Sequence, residues 1–532
     1  MAFATARSLA LRGADGHVID VQVDVSPGLV STTVIGRVDK SLSESRDRVR
    51  MAINNDCGRW PATKRVTILL APADLPKSGT HYDLAIAVAV LAADLQHEDL
   101  LPEHLAGWAF IGELSVSGAL RPVPGVLPMV IAAAAHDITR VFVPEPQAAE
   151  AALVPGMTVV GVRSLAQVSA VLRGVEVPEA DPVVAASASP LATWRGEDRI
   201  DGLDLRDLDG LEDVRYAVEV AAAGGHPTML IGPRGTGKTS IAERIPSILP
   251  DLTTEQALEV TALHSVAGVL PQGAGLLRRP PWFAPHHSAT AASVLGGGTG
   301  RVRPGQVSLA HHGVLFLDEF PHFRADVIEA MRQPLEAGEV TIARGDDSAT
   351  YPARSLVVLA ANPCPCGNFH GTTGGSCECS EVQRLHYRRK LTGPILDRVD
   401  IWMEVRPQGR SRSLFGPERE SSDDVRARVA EARQRQAHRY RHCPWLLNAS
   451  CPGPVLAEQW PLEPAAQALV DADLAAGRLT RRGLTRVQRL AWTVADRSGV
   501  ARPGEPEATI ALALRSADAA GTLPAAVVGV AS

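Results

Sequence analysis

The stretch PTMLIGPRGTGKTS, residues 227–240, decides the fold of the chain around it. Its apolar first part predicts a buried strand, and a glycine-rich turn with the spacing Gly-x₄-Gly-Lys-Thr follows. Glycines allow successive backbone N–H groups to turn toward phosphate oxygens. The pattern predicts a phosphate-binding loop, the Walker A motif, made of Gly232, Pro233, Arg234, Gly235, Thr236, Gly237, Lys238, Thr239 and Ser240.

Two side chains of this loop have predicted roles in binding a nucleoside triphosphate. Lys238 would reach the β- and γ-phosphates, and the Thr239 hydroxyl would ligate Mg²⁺. The residues that follow predict a helix whose N-terminus faces the phosphates. A chance glycine-rich turn is the alternative, but the strand before the loop and the helix after it favour the phosphate site.

Length and composition limit the classes of protein that fit. A chain of 532 residues is expected to hold about three or four domains. With a net charge of −6, any nucleic-acid binding must depend on local basic patches. The sequence has no run of about eighteen apolar residues and no apolar core of a signal peptide. We therefore expect a cytoplasmic protein without a membrane partner.

The N-terminal third predicts an α/β domain of its own. Within residues 1–173, apolar runs predict strands at 66–70 and 141–144, and a buried helix at 83–93. Residues 174–198 are rich in proline, alanine, serine and acids, which is typical of a linker.

The rest of the chain divides by composition into three parts. The core that contains the Walker A loop is predicted to span residues 199–406. A connecting helical segment at 407–460 and a C-terminal helical lid at 461–532 follow it. The arginine-rich stretch at 421–441 favours a solvated helix face.

A second motif, GVLFLDE at residues 313–319, predicts a buried strand that ends in two acids. Asp318 would hold Mg²⁺ through water, and Glu319 would polarise the water that attacks the phosphate. A buried strand with two solvated acids at its end is the alternative. The position about eighty residues after a Walker A loop favours the catalytic reading, the Walker B motif.

Two further polar residues are candidates for the same site. A third apolar run, at 355–361, ends in Asn362, whose amide could orient water beside the γ-phosphate, the role called sensor 1. Arg398 lies on a short turn and could act across a subunit interface as an arginine finger. An ion pair with Asp397 or Asp400 is an equally good interpretation of this arginine.

Two Cys-x-Cys pairs lie close together in the chain. Four thiolates match a closed structural Zn²⁺ site, and such a site would have no catalytic role because no ligand position is open. Disulfides or free cysteines are the alternatives. The candidate ligands are Cys364, Cys366, Cys377 and Cys379.

The chain carries in order the Walker A loop, the Walker B strand, the strand that ends in Asn362, the turn with Arg398 and the helical lid. This order resembles that of an AAA+ ATPase. Further motifs are PHH at 285–287, LGGG at 295–298, PGQVSLAH at 304–311, RQPLE at 332–336, YPAR at 351–354, NPCPCG at 362–367 and LTGP at 391–394. Together they make nearly the whole chain similar to the YifB/ComM family of magnesium-chelatase-like AAA+ proteins. The expected fold class is α/β, with a P-loop AAA+ core and a helical lid.

The N-terminal domain resembles the Lon-type protease fold. The likeness lies in the segments at 71–83 and 112–127. The place of the nucleophilic serine falls on His81 and that of the catalytic lysine on Leu127. A Ser–Lys dyad needs a hydroxyl and an amine within hydrogen-bond reach. We therefore expect a protease-shaped domain without protease activity.

The family resemblance implies a homo-hexameric ring with ATP sites between subunits, and a DNA helicase that drives branch migration in natural transformation. It implies that Arg398 is the finger in trans and that the lid supplies a sensor-2 arginine. Arg482 matches that position best, with Arg486 one turn further. It also implies a pre-sensor hairpin at 339–359, in which Arg344 would face DNA in the pore.

The sequence departs from the family pattern at several positions. Arg234 stands where many members carry proline, and we expect it to point outward and matter little. Phe283 stands where an arginine is usual. Trp282 and Phe283 could stack on single-stranded bases, or they could anchor the insert at 279–307 by apolar contact, which is the interpretation we prefer.

A protein-remodelling factor of magnesium-chelatase type is the alternative to a DNA helicase as the function of the chain.

Overall fold

The computed structural model describes most of the chain. Most of the predicted linker, the LTGP motif and the last residues of the chain lie outside the described part. The described residues are 2–36, 40–75, 77, 79–94, 100–183, 202–208, 210–271, 273–298, 302–344, 347–369, 377–390, 395–406 and 420–515.

A seven-stranded mixed sheet forms the centre of the N-terminal domain. The strands of this domain are β1 (Ala2–Arg12), β2 (Asp15–Ser26), β3 (Ser31–Ile35), β4 (Arg65–Ala71), β5 (Trp108–Phe110), β6 (Glu113–Leu114), β7 (Leu120–Arg121), β8 (Arg140–Pro144) and β9 (Thr158–Val162). The sheet order is β3-β4-β2-β1-β5-β8-β9, and β6 pairs with β7 separately. From Ile19 onward, strand β2 alternates buried and half-buried residues, so one face packs on the core.

Helices cover this sheet. They are α1 (Lys40–Ala52), α2 (Asp83–Ala93), α3 (Val126–Ala135), α4 (Ala148–Ala151) and α5 (Leu165–Arg173). All residues of α2 are buried, which follows from its nearly continuous run of alanine, valine, leucine and isoleucine. The predicted strands at 66–70 and 141–144 and the predicted helix at 83–93 are confirmed.

A five-stranded parallel sheet forms the centre of the second domain. Its strands are β10 (Thr228–Ile231), β11 (Trp282–Phe283), β14 (Val314–Leu317), β17 (Leu356–Ala361) and β18 (Ile401–Glu404). Their order is β11-β14-β17-β10-β18. Strands β14 and β17 are buried throughout, as expected for parallel strands covered on both faces. The predicted P-loop α/β fold class is confirmed.

Two hairpins and several helices surround this sheet. The hairpins pair β12 (Gly296–Gly297) with β13 (Arg303–Pro304), and β15 (Glu339–Arg344) with β16 (Asp347–Pro352). The helices are α6 (Glu212–Gly224), α7 (Lys238–Ala242), α8 (Ile245–Ile248), α9 (Thr254–Ala267), α10 (Ala291–Val294), α11 (Gln306–Leu309), α12 (Ala325–Ala330), α13 (Arg332–Ala337) and α14 (Glu381–Lys390).

The predicted pre-sensor hairpin at 339–359 is too long. The hairpin ends at Pro352, and Leu356 begins β17 in the central sheet. The reason is the apolar run LVVLAA, which is buried throughout and cannot lie in an exposed hairpin.

The C-terminal part is helical. Its helices are α15 (Ser422–Arg439), α16 (Gly453–Gln459), α17 (Pro464–Ala475), α18 (Arg481–Ser498) and α19 (Glu505–Arg515). Helix α18 packs against α6, α15, α17 and α19. Within the described ranges, no helix is both long enough and apolar enough to cross a membrane.

The predicted solvated face at 421–441 is wrong for most of its arginines. Arg433 is half-buried and donates to the carbonyl oxygen of Ala222 near the end of α6. Arg428 forms ion pairs with Glu219 of α6 and with Glu420. These arginines bind α15 to the core because the end of α6 supplies free carbonyls and an acid that need partners.

Candidate nucleotide-binding site

The Walker A loop connects β10 to α7. Gly235 and Gly237 have φ angles of +75° and +88°, which side-chain-bearing residues rarely adopt. At Gly232 an added Cβ would lie 2.3 Å from the carbonyl oxygen of Val405, at the end of β18. The glycines thus allow the tight turn that the sequence pattern predicted.

Lys238 begins α7 and is buried. Its Nζ donates to the carbonyl oxygens of Gly232 and Pro233, each at 2.7 Å. It also donates to Oδ1 of Asn362 at 3.2 Å. Burial lowers the pKa of Lys238, while the carboxylates of Asp318 and Glu319 oppose that shift. The amine is held inside the loop, where a phosphate would lie.

Thr239 and Asp318 lie together beside the loop. The Thr239 hydroxyl donates to Oδ2 of Asp318 at 2.9 Å. Asp318 directly follows the buried strand β14, so the sheet fixes its position. A hydroxyl and a carboxylate oxygen are ligands that Mg²⁺ accepts. These two predicted Mg²⁺ residues are brought together.

Glu319 adopts a strained backbone conformation, with a φ angle of +50°. Its N–H donates to Oδ1 of Asp318 at 2.8 Å. Its Oε2 lies 3.4 Å from Nδ1 of His287. Nothing in the local sequence predicts this contact, because the pairing of β11 with β14 brings His287 beside Glu319.

Asn362 follows β17 and is buried, with 7% of its surface exposed. Its contact with Lys238 places the amide at the edge of the sheet that carries the Walker A loop and Asp318. The carboxyl ends of parallel strands meet at one edge, which explains why motifs so distant in the chain converge.

Arg398 forms an ion pair with Glu336 of α13. Its side chain is largely covered, with 13% exposed. The sequence indicated Asp397 or Asp400 as an intramolecular partner, but the partner in the structure is Glu336. Nothing near Arg398 in the sequence could have indicated a partner on another helix. The finger role of Arg398 stays a prediction.

The two sensor-2 candidates of the lid have different surroundings. Arg482 is exposed in the first turn of α18. Arg486 forms an ion pair with the buried Asp400 and donates to the carbonyl oxygen of Arg398 at 3.0 Å. Arg486 therefore connects the lid to the turn that carries Arg398.

The four cysteines form one cluster directly after Asn362. Cys364 Sγ lies 3.3 Å from Cys366 Sγ and 3.7 Å from Cys377 Sγ. Cys366 and Cys377 are 3.6 Å apart at sulfur, and the Cys379 sulfur accepts the N–H of Cys366 at 3.4 Å. Zinc–sulfur bonds of about 2.3 Å in a tetrahedron place sulfurs about 3.8 Å apart. The spacing fits a metal and is far above a disulfide bond.

Several other predicted residues lie away from the phosphate loop. Arg344 ends β15, opposite Asp347, at the tip of a hairpin. Trp282 stacks on Phe316 at 5.6 Å between ring centroids, and Phe283 packs on the core. The preferred interpretation of these two aromatics, apolar anchoring, is confirmed.

In the N-terminal domain, the two positions that the Lon resemblance assigns to a catalytic dyad are buried. His81 is buried, and its Nε2 lies 2.7 Å from the carbonyl oxygen of Leu9. Leu127 is fully buried in α3. Lys77 is also buried and donates to the carbonyl oxygen of Pro72. Neither position of the dyad carries a hydroxyl nucleophile or an amine.

Family descriptions match three segments of the chain. Residues 204–413 match the magnesium chelatase subunit ChlI. Residues 21–147 match a second description of subunit ChlI of Mg-chelatase, and residues 419–515 match the C-terminal part of that subunit.

Full-length relatives are also similar to this chain. An uncharacterized protein of Mycobacterium tuberculosis is 43% identical over 519 residues, which cover 98% of this chain and 100% of that protein. YifB of Escherichia coli is 37% identical over 498 residues, covering 93% and 94%. The competence protein ComM of Haemophilus influenzae is 35% identical over 519 residues, covering 97% and 98%.

Proposed function

The chain belongs to the YifB/ComM family of magnesium-chelatase-like AAA+ proteins, and from that premise we propose that it is an ATP-hydrolysing ring motor that acts on DNA. The observation that carries the proposal is the meeting of the Walker A loop, Asp318 and Asn362 at one edge of the core sheet. The family indicates ATPase activity with ATP and Mg²⁺.

Each residue of the site has a distinct part in the proposed reaction. The loop N–H groups and Lys238 bind the phosphates. Thr239 and Asp318 would hold Mg²⁺, and the ion would supply positive charge beside the transferred phosphoryl group. Glu319 accepts a proton from the attacking water, and Asn362 orients that water.

We propose that this site is one half of an active site that two neighbouring subunits form together. Arg398 would complete the active site of a neighbouring subunit in a homo-hexamer, and the ion pair with Glu336 would hold it until the subunits assemble. Arg482 would contact the phosphates from the lid of the same subunit. Both roles rest on the family likeness and on the positions of these arginines.

Two features support DNA as the partner. The β15–β16 hairpin carries Arg344 at its tip, and a cation there can contact phosphates in a central channel. ComM of Haemophilus influenzae is named a competence protein. We therefore propose a ComM-like branch-migration helicase. The second candidate function is a protein-remodelling ATPase, and the match to magnesium chelatase is the observation that supports it.

The test is the ATPase rate of the full chain with and without DNA. We expect single-stranded or branched DNA to raise the rate several-fold. Lys238→Ala should abolish turnover. Glu319→Gln should bind ATP yet hydrolyse it about a hundredfold more slowly, because the general base is lost.

Different outcomes separate the parts of this proposal. An active ATPase that no form of DNA stimulates would favour the protein-remodelling candidate. Glu319→Gln with an unaltered rate would overturn the assignment of the base. Arg46→Lys is a suitable control, since Arg46 forms an exposed ion pair with Asp47 in the N-terminal domain.

We also propose that the four-cysteine cluster holds one structural Zn²⁺ per chain. The sulfur spacing supports it, and all four ligand atoms lie within 4.8 Å of one another. Metal analysis of protein purified without chelator should give about one zinc per chain. A preparation that folds and contains no zinc would overturn this.

A further inference from the structure

The four-cysteine cluster touches the nucleotide site through its first pair of ligands. Cys364 is two residues after Asn362, whose side chain is buried against Lys238. Cys364 is itself fully buried, and its carbonyl oxygen accepts the N–H of Gly367 at 3.0 Å. The position of Asn362 therefore depends on how this short turn is held.

The same turn also lies against the Walker A loop. Gly367 has a φ angle of +83°, and a Cβ added there would lie 3.0 Å from Cγ of Arg234. Arg234 is exposed at its outer surface, as predicted, but its aliphatic part contacts the cysteine turn. The expectation that Arg234 matters little overlooked this contact, because the two residues are far apart in the chain.

The second pair of cysteines leads directly into α14. Cys379 is followed by Ser380, whose hydroxyl accepts the N–H of Gln383 at 3.3 Å and caps the helix start. Tyr387 of α14 is buried in the apolar cluster that contains Leu317 and Ala361, the last residues of β14 and β17. A metal that joins the two pairs thus ties α14 to the ends of both strands.

From these contacts we infer that the metal in the cysteine cluster positions the ATP site. Resting on the zinc site proposed above, the inference gives that metal a second role. It fixes the turn that carries Asn362 and supports Arg234, so ATP turnover depends on the metal while phosphate binding by Lys238 depends on it less. The cysteines are positioning residues, since none of them contacts the phosphates.

The first experiment removes a ligand. Cys379→Ser should lose zinc, and its kcat for ATP should fall about tenfold or more, because small misplacements of an orienting group are costly. Its affinity for a fluorescent ADP analogue should change much less. Cys443→Ser, a cysteine outside the cluster, is the matched control and should keep zinc and kcat.

The second experiment moves the turn and keeps all four ligands. Gly367→Ala places a methyl group against Arg234 and should lower kcat while the zinc content stays at one per chain. Gly477→Ala is the matched control, because Gly477 has a similar φ angle of +71° and no atom within 4 Å of an added Cβ. Thermal melting of each variant separates unfolding from misplacement.

The outcomes distinguish this inference from the proposals on which it rests. A folded Cys379→Ser protein that has lost zinc and keeps full kcat would overturn the inference and leave both the ATPase and the zinc site intact. Full kcat in a zinc-loaded Gly367→Ala protein would overturn it as well. Wild-type protein without zinc would defeat the zinc site itself, and wild-type protein with zinc and no ATPase would defeat the proposed function.

Discussion

The buried ring of His311 joins α9 to the segment that precedes β14. Its Nδ1 accepts the N–H of Arg354 at 3.0 Å, so the proton of the neutral ring must be on Nε2. That Nε2 lies 3.0 Å from Oε2 of Glu259, and His312 Nε2 lies 2.8 Å from the same oxygen. A protonated Nε2 cannot ligate a metal, so hydrogen bonds explain this cluster better than a cation does.

The ring of His311 should make the protein sensitive to acid. Burial lowers its pKa to about 4, although Glu259 works in the opposite direction and His312 and Arg354 add to the lowering. A second proton would sit on Nδ1 and face the N–H of Arg354. The stabilising contribution is therefore complete above pH 6.5 and is lost as the pH falls from 6.5 through 4.

We predict that the melting temperature falls over this pH range, with His311 accounting for up to about 3 kcal/mol of unfolding free energy. His311→Gln should flatten the dependence, because an amide does not titrate. His438→Gln, at an exposed position of α15, is the control and should melt like the wild type. Identical pH profiles for wild type and His311→Gln would contradict the assignment.

At the scale of elements, helix α18 is fixed to the core by two residues on the same face, about two turns apart. Arg486 pairs with Asp400. Oγ1 of Thr493 lies 2.7 Å from Nε2 of His226. The other ring nitrogen of His226 lies 2.8 Å from Oδ2 of Asp400, which closes a buried polar network. The lid and the turn that carries Arg398 should therefore move together.

This network predicts different effects for Arg486 and Arg482: a change of the first should lower stability, and a change of the second should lower ATP turnover. Arg486→Met should destabilise the protein by about 3 kcal/mol or more, because a buried carboxylate loses its charged partner. Arg482→Met should leave the melting temperature unchanged and lower ATP turnover, since Arg482 is exposed and is the predicted sensor-2 residue. Denaturant melts and ATPase assays on both variants decide this. Lost turnover without destabilisation in Arg486→Met would instead assign the sensor role to Arg486.

The elements that the sequence could predict are those with a continuous apolar run. The strands β4, β14 and β17 and the helix α2 all have one. The motifs of β14 and β17 also end in polar residues, which the parallel sheet brings together. The arginines of α15 were misjudged because their acceptors, such as the carbonyl of Ala222, lie on a helix more than two hundred residues away. The partner Glu336 of Arg398 was missed for the same reason.

At the scale of the whole molecule, the N-terminal domain is joined to the core through α9. The N–H of Gly125 donates to the carbonyl oxygen of Ser265 at 3.1 Å, and Ala262 packs in the apolar cluster of α3. The Ser265 hydroxyl donates to Glu150, which also accepts the N–H of Leu127 at 3.1 Å. Burial raises the pKa of Glu150. Leu127, to which the resemblance to the Lon-type fold assigns the place of a lysine, thus forms part of a domain contact.

A second contact joins this domain to the β15–β16 hairpin. Arg12 donates to the carbonyl oxygen and to the hydroxyl of Ser348, each at 3.2 Å. Gly13, in the turn between β1 and β2, has a φ angle of +68°, and an added Cβ would lie 2.6 Å from the carbonyl oxygen of Thr350. The N-terminal domain therefore contacts β16, from the middle of the hairpin toward its tip, in the hairpin that is proposed to meet DNA.

If this contact matters, Gly13→Ala should weaken the response of the ATPase to DNA and leave the rate without DNA unchanged, because the Walker residues are remote from the turn. The matched control is Gly156→Ala, whose φ angle is +80° and whose added Cβ meets nothing within 4 Å. Both changes carry the backbone strain of about 1 kcal/mol that alanine has in the left-handed region, and only Gly13→Ala also forces the turn away from Thr350. The measurement is the ratio of ATPase rates with and without branched DNA, together with limited proteolysis of the boundary between the domains. Equal ratios and equal proteolysis for the two variants would mean that the hairpin works without the N-terminal domain. A lower ratio in Gly13→Ala alone would show that the N-terminal domain supports the hairpin.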